Sequence, residues 1–431
     1  MKICMVTNTY LPHVGGVARS VHQFSEDLRD LGHEVLVLAP EYRSDRSEKI
    51  EGVLRLPALQ NFNGSDFSVR IPIPFMVEDR IESFSPDIVH SHHPFLMGDT
   101  ALRIAHKYKR PLVFTHHTLY EQYTHYVPLD SQALREFVVR LATRYANFCD
   151  RVVAPSRSIA RLIASRGVKR PVEEIPTGVD TDFFGQGDGQ RFRSEFGLPS
   201  SGLVLGHLGR LAPEKNLVYL CRAVSAYLSR DSRAHFLLVG EGPIQDELLE
   251  LFHNAGVKRQ VVLAGKKTGR ELQDAYQAMD LFVFASKSET QGMVLTEAMA
   301  AGKPVIALDA SGTREVVRDG ENGRLLREDA SEETFVAAIE AFARDAQTAE
   351  RWRENSLHTA RRFSRGASAR KLETLYREVL QEPVTGSTSL RQDFGLLNGL
   401  IERIKLEWDM LSEKTDAAKD ALQSGRGKET T

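Results

Sequence analysis

Short apolar runs alternate with amphipathic stretches along most of this chain. Ile3–Val6, Val35–Leu38, Ile88–Val89, Leu112–Phe114 and Val152–Ala154 read as strands, with helix-length segments at Val17–Leu31 and Leu134–Phe148. The second half repeats the alternation with strand-like runs at Leu203–Leu208, Phe236–Val239, Val261–Ala264, Leu281–Phe284 and Val305–Leu308. Between them lie helical segments at Leu217–Leu228, Ile244–Ala255, Glu271–Met279 and Val294–Ala300. Strands this apolar, separated by amphipathic helices, predict parallel sheets covered on both faces. Two such series in tandem predict an α/β protein of two Rossmann-like domains.

The break between them is placed near Gly178–Pro199, where Gly185–Gln190 is a polar, glycine-rich interruption. The expected division is residues 1–184, a linker at 185–200, a second domain at 201–365, and a helix at 366–385 that crosses back to the first domain. Ligands of open parallel sheets bind beyond the carboxyl ends of the strands. Two facing sheets therefore predict one shared cleft. The tail differs: Leu390, Phe394, Leu397, Ile401, Ile404, Trp408, Leu411, Ala418 and Leu422 form a heptad seam over 390–423. A helix folded back on its own domain, a homodimer seam and a membrane-lying segment all fit it; a length of about 45 Å at 1.5 Å per residue favours a partner surface.

The 431 residues exceed one ordinary core, which agrees with two domains. Apolar content of 42% and charged content of 26% are those of a globular protein in water. A formal charge of −2 gives no reason to expect a nucleic-acid partner. Cys4, Cys149 and Cys221 are too scattered for a disulfide framework or a CxxC site. The start reads as a first strand rather than a signal peptide, and no run approaches the ~20 apolar residues of a membrane span. A cytoplasmic enzyme, peripheral at the inner face of a membrane, is the expectation.

The candidate chemistry concentrates after the strands. Glu289 leaves one strand and Glu297 sits about one turn inside the following helix, with Gly292, Met293, Val294 and Leu295 opening it. Backbone N–H groups at a helix start attract phosphate, and flanking carboxylates suit sugar and ribose hydroxyls. Gly209-Arg210 and Lys215 follow the first strand of the second half, where two cations would stabilise a departing diphosphate; an ordinary basic loop reads the same way in isolation. Gly240 and Gly265-Lys266 end the next two strands, with no GxGxxG for a dinucleotide. Gly15-Gly16 lead from the first strand into a helix and permit close backbone approach to a ligand, or simply make a turn.

Taken together, the E-x7-E pair at Glu289 and Glu297, the Arg210…Lys215 pair, Ala298-Met299-Ala300-Ala301-Gly302-Lys303-Pro304-Val305 and Asp319–Gly323 resemble the retaining family 4 glycosyltransferases over roughly residues 1–380. That resemblance implies the GT-B fold, a nucleoside diphosphate sugar as co-substrate, and no cofactor or obligatory metal. It implies that Glu289 and His117 (in Thr115-His116-His117-Thr118) meet the donor sugar, and Glu297 the ribose. Backbone amides at Gly292–Leu295 would meet the diphosphate, with Gly15 and Gly16 beneath it. Here Thr290-Gln291-Gly292-Met293 stands in place of the commoner glycine–phenylalanine–glycine variant. Asp180-Thr181-Asp182 imitates a DxD metal motif but lies in the segment leading to the linker, and is read as structural.

Histidines also cluster at His90, His92 and His93, with His125 further on. No HExxH-type spacing accompanies them, and His92 and His116 are expected to shape the acceptor side with Tyr120. Along 134–170, an apolar helical face (Leu134, Phe137, Val138, Leu141, Tyr145, Phe148) lies beside Arg135, Arg140, Arg144, Arg151, Arg157, Arg161, Arg166, Lys169 and Arg170. Solvated arginines on a core helix, or a surface for anionic lipid, both follow. Phe114–Tyr123 with Glu289–Gly292 looks similar to diacylglycerol glucosyltransferases, and the apolar Ile71–Phe75 loop fits that surface. The expected reaction moves glucose from UDP-glucose to a lipid hydroxyl; a saccharide acceptor and a nucleotide-sugar epimerase are the alternatives.

Overall fold

The computed structural model describes residues 1–12, 15–41, 50–59, 69–70, 78–122 and 131–383. The heptad segment 390–423, the 71–75 loop and His125 lie outside them. The first half runs β1 (Lys2–Val6), α1 (Gly16–Asp30), β2 (Glu34–Pro40), β3 (Val53–Leu56), β4 (Ala58–Leu59), β5 (Val69–Arg70), α2 (Glu78–Phe84), β6 (Ile88–Ser91), α3 (Met97–Tyr108), β7 (Leu112–Thr115), α4 (Gln132–Phe148), β8 (Arg151–Ala154), α5 (Arg157–Ser165) and β9 (Val172–Glu174). Seven of these strands form a parallel sheet in the order β3-β2-β1-β6-β7-β8-β9, while β4 and β5 pair as a short antiparallel ribbon.

The second half runs α6 (Thr181–Gly185), α7 (Gly189–Glu195), β10 (Val204–Leu208), α8 (Leu217–Leu228), β11 (His235–Val239), α9 (Gln245–Asn254), β12 (Val261–Gly265), α10 (Gly269–Ala278), β13 (Leu281–Phe284), α11 (Met293–Ala300), β14 (Val305–Leu308), β15 (Gly323–Leu326), α12 (Glu332–Arg344), α13 (Ala346–Arg362) and α14 (Arg365–Gln381). Its six strands are parallel in the order β12-β11-β10-β13-β14-β15. Successive strand residues face opposite sides, and both sides are buried. Leu205, Phe236 and Leu238 enter one core beneath α8 and α9; Val204, Leu237 and Phe282 enter the other beneath α10 and α11. That is why these strands are apolar throughout rather than alternating.

Two Rossmann-like domains are thus present. The stretch 185–200, expected as a linker, is folded: α7 lies against α10, and Phe192 and Leu198 join the second domain's core. After α13 the chain returns. Leu372, Leu375, Tyr376 and Val379 of α14 enter the core of the first sheet beside Val21, Phe24 and Leu28 of α1. At the crossing, a Cβ on Gly178 would come within 2.4 Å of the Arg365 Cα. Arg365 is held there by Asp27, which takes its Nε–H at 2.8 Å. No helix among the described residues is long and apolar enough to cross a membrane.

Candidate active site

Each sheet reverses direction once. In the first, β1 lies between β2, the strand after it in sequence, and the later β6; in the second, β10 lies between β11 and β13. Such switch points leave a crevice beyond the strand ends. The segments leaving β1 and β6 carry Gly15-Gly16 and His92; those leaving β10 and β13 carry Gly209, Arg210, Lys215 and Glu289. These residues therefore come from the strands that flank the two crevices, while His116, His117 and Tyr120 follow β7, Gly240 follows β11, Gly265 ends β12 and Lys266 follows it.

Lys215 Nζ donates to Glu289 Oε1 at 2.6 Å, and each side chain is under a fifth exposed. Burial pushes the Glu289 carboxyl up, but the Lys215 charge and hydrogen bond bring it below the ordinary value. His207, on β10, donates its Nδ1–H to the Val283 carbonyl at 3.0 Å and stacks with Phe282 and Phe284. Arg210 is exposed at the tip of its loop.

Glu297 has different partners. Its Oε1 accepts from Arg19 Nη1 at 2.9 Å, and its Oε2 from the Tyr276 hydroxyl at 2.7 Å. Arg19 belongs to the first domain, so this pair crosses between the sheets. Of the four charged residues expected around one diphosphate, Lys215 pairs with Glu289, while Glu297 pairs with Arg19, a residue not among them, and Arg210 is in neither pair. Arg19 and Tyr276 escaped sequence reasoning. A signal existed for the first, a cation near the start of α1, where helix polarity favours anions.

Gly292 caps α11 in the left-handed conformation, φ +72°, and no side chain caps the helix. Leu295 N–H already closes a turn on the Gly292 carbonyl, which corrects the expectation that its amide faces a ligand; those of Met293 and Val294 occupy the first two helical positions, which have no partner within a helix. At the start of α1 a Cβ on Gly16 would meet nothing within 4 Å, so the backbone there borders open space. Gly209, Gly240 and Gly265 sit side by side: Gly209 N–H bonds Val239, and Gly240 N–H bonds Gly265. Gly240 has φ +137°, and a Cβ there would strike the Gly209 carbonyl at 1.9 Å. Strand-end packing is enough to require that glycine. Lys266 is exposed beyond it.

The loop between the glutamates is stitched to the first domain. The Thr290 hydroxyl donates to the His117 carbonyl at 2.8 Å, and the Ser156 hydroxyl donates to the Thr290 carbonyl at 2.6 Å. Gln291 grips Thr177 twice: its Oε1 accepts the Thr177 N–H at 2.7 Å and its Nε2 donates to the Thr177 carbonyl at 2.6 Å.

On the first domain's wall, His92 Nδ1 and His117 Nε2 are 2.9 Å apart, their rings stacked. Burial and neighbouring histidines hold both imidazoles well below their ordinary pKa, so one neutral ring donates to the other. His90 bridges Thr115 and Tyr376 at 2.7 and 2.5 Å. His116 and Tyr120, expected on the acceptor side, turn away and pack among Val138, Ala142, Ile163 and Arg166, with no room left among them for a ligand. Asp180 accepts from the Phe183 N–H as the N-cap of α6. Of the nine cations along 135–170, Arg151, Arg166 and Arg170 are not on an open surface: they bond Glu382, Glu121 and the Asn147 carbonyl. Arg135, Arg140, Arg144, Arg157, Arg161 and Lys169 are exposed.

Comparison with known proteins gives the family and the fold. Residues 14–183 match the family described as Glycosyltransferase Family 4, and residues 188–359 match Glycosyl transferases group 1. An alpha-monoglucosyldiacylglycerol synthase of Streptococcus pneumoniae is 29% identical over 319 residues, 71% of each chain. A GDP-mannose-dependent alpha-mannosyltransferase of Mycolicibacterium smegmatis is 32% identical over 349 residues, covering 79% of this chain and 88% of that one. Among solved structures, Anabaena HepE in complex with UDP superposes with a TM-score of 0.71 at 21% identity, over 88% of this chain and all of the other. With its paired switch points, its E-x7-E spacing and these matches, the chain belongs to the family 4 glycosyltransferases and has their GT-B fold.

Proposed function

We propose that this enzyme moves glucose from UDP-glucose to the hydroxyl of a diacylglycerol-type lipid, with retention at the anomeric carbon. Lys215 and Arg210 stabilise the departing diphosphate, Glu289 and His117 orient the sugar, and Glu297 holds the ribose. Met293 and Val294 amides at the start of α11 receive phosphate oxygens, with Gly15-Gly16 opposite. None of these residues is placed as a covalent nucleophile, so the incoming hydroxyl attacks the face the diphosphate leaves, within an ion pair. The neutral His117 keeps a hydrogen-bonding nitrogen for a sugar hydroxyl without adding charge.

The observation that carries this reading is the Lys215–Glu289 pair, largely shielded from water at the switch point of the second sheet. The lipid acceptor draws support from the glucosyldiacylglycerol synthase among the relatives. It draws more from the exposed cations Arg135, Arg140, Arg144, Arg157 and Arg161, a surface suited to anionic lipid at a membrane face. A GDP-mannose donor is the second reading, favoured by the mannosyltransferase relative.

The test is release of nucleoside diphosphate from UDP-glucose, GDP-mannose and ADP-glucose, each with and without diacylglycerol micelles. UDP release that rises at least tenfold with the lipid is expected. Turnover only with GDP-mannose replaces the donor, stimulation only by soluble saccharide replaces the acceptor, and donor conversion with no acceptor points to an epimerase.

A further inference from the structure

Arg19 stands where a helix does not ordinarily place a cation. It lies one turn beyond Gly15, the N-cap of α1, against the positive end of a helix with no acidic residue in its first turn. Its Nη1 meets Glu297, whose side chain is only 5% exposed. Its Nε–H is buried and has no acceptor. The side chain as a whole nevertheless keeps 36% exposure, so it reaches solvent where the two domains meet.

The ion pair also joins two helix starts. Glu297 is one turn into α11, Arg19 one turn into α1, and neither helix has a side-chain cap. A guanidinium with an unfilled donor, carried one turn inside one uncapped helix, thus meets a carboxylate carried one turn inside another. A single carboxylate leaves that assembly short of negative charge and of acceptors. A group with several anionic oxygens completes it, and a planar guanidinium can hold a carboxylate and a phosphate at once through different N–H groups.

We propose that Arg19 is a donor-positioning residue that binds the diphosphate from the first domain, through Nε–H, while Nη1 stays on Glu297. This rests on the donor-site reading above and extends it. One side chain then connects the phosphates, the carboxylate assigned to the ribose and the approach of the two domains. Donor binding and closure become the same event, because the phosphate site is complete only when α1 and α11 are together.

The experiment is calorimetric titration of UDP, GDP and the matching free nucleosides (weak ones by displacement) into wild type, Arg19→Ala and Arg19→Lys. The nucleoside diphosphate that wild type binds is expected to bind Arg19→Ala at least tenfold more weakly, with nucleoside affinity unchanged within twofold. Arg19→Lys, which keeps the charge but has a single ammonium in place of the fork, is expected to recover only part of the loss. Undiminished diphosphate binding to Arg19→Ala overturns the proposal. So does an equal loss for nucleoside and diphosphate, which would mean that Arg19 only props Glu297. Should Arg19→Ala not fold, Arg19→Gln takes its place with the same expected ratio. Wild type binding neither diphosphate overturns the donor site itself, and this proposal with it.

Discussion

The hydroxyl of Thr290 and the backbone carbonyl of His117 are joined at 2.8 Å across the cleft. Glu289, the residue before Thr290, is thereby held in fixed relation to the imidazole on the opposite wall. Ser156 returns the bond to the Thr290 carbonyl, and Gln291 claims both backbone groups of Thr177. The two side chains that depart from the commoner family pattern are among those that dock the second domain on the first. Their polarity serves closure, while the donor is left to the backbone of α11.

Gln291→Ala should expose that role. It leaves the Thr177 N–H and carbonyl buried without partners, at a cost of about 1–3 kcal/mol for each group. A clearly lower urea midpoint is expected, with turnover reduced alongside it. Gln291→Glu should be no better, because a carboxylate oxygen would face the Thr177 carbonyl. A wild-type midpoint for Gln291→Ala would remove the docking role.

Lys215 and Glu289 make a second prediction, in which stability and activity separate. Lys215→Ala strands a largely buried carboxylate, a loss of roughly 3–5 kcal/mol for a broken buried pair, and should cut turnover by about 10²–10³, as for one lost electrostatic contact to the transition state. Lys215→Ala combined with Glu289→Gln should regain most of the stability and none of the turnover. If the double variant regains activity, the ammonium is not serving the leaving group.

What could be read from the sequence follows the range of the interactions. β13 and β14 match the expected Leu281–Phe284 and Val305–Leu308, because a strand buried on both faces announces itself in four consecutive residues. β15, with only Leu325 and Leu326 apolar at the sheet's edge, carries no such signal. The loops bearing Lys215 and Glu289 were legible because switch points always present the same strand ends. Arg19 was not, since its partner is 278 residues away and depends on how two domains dock. The inward turn of Arg151 and Arg166 was hidden likewise: Glu382 and Glu121, which neutralise them, lie beyond the window in which the cations were counted.

Acid should unfold the protein earlier than its carboxylates alone require. Burial lowers the pKa of His90, His92, His93, His116, His117 and His207, to about 3 for His90 and His93 and about 4 for His116 and His207. Below the unfolded value near 6.5, the unfolded chain takes up protons that the fold refuses, so stability falls as pH falls. Each of His90, His93, His116 and His207 costs about 2 kcal/mol by pH 5, and the four together are comparable to the roughly 5–15 kcal/mol that holds a native protein. Circular dichroism should show an acid midpoint between about pH 5 and 6. A midpoint below about pH 4 would mean the imidazoles are protonated within the fold.

Lys303 gives the same sign in the alkaline range. It lies between α11 and β14, donates to the Gln277 carbonyl at 3.2 Å, and is pushed by burial down to about 8, despite the pull of Asp280. Between pH 8 and the unfolded value of 10.5 the unfolded chain holds the extra proton, so this group adds stability as pH rises. At pH 7 its burial as a cation costs about 3 kcal/mol, and Lys303→Met, which keeps the length of the side chain and gives up one hydrogen bond of about 1 kcal/mol, should be the more stable protein. Buried thiols work the other way: Cys4, Cys149 and Cys221 are all shifted upward, so the fold loses stability as they ionise in the unfolded chain. The readout is therefore the difference between wild type and Lys303→Met, from urea unfolding at pH 7 and pH 10, which cancels the thiols. That advantage of the variant should shrink as the pH rises, and an advantage that stays constant would place the Lys303 ammonium in water.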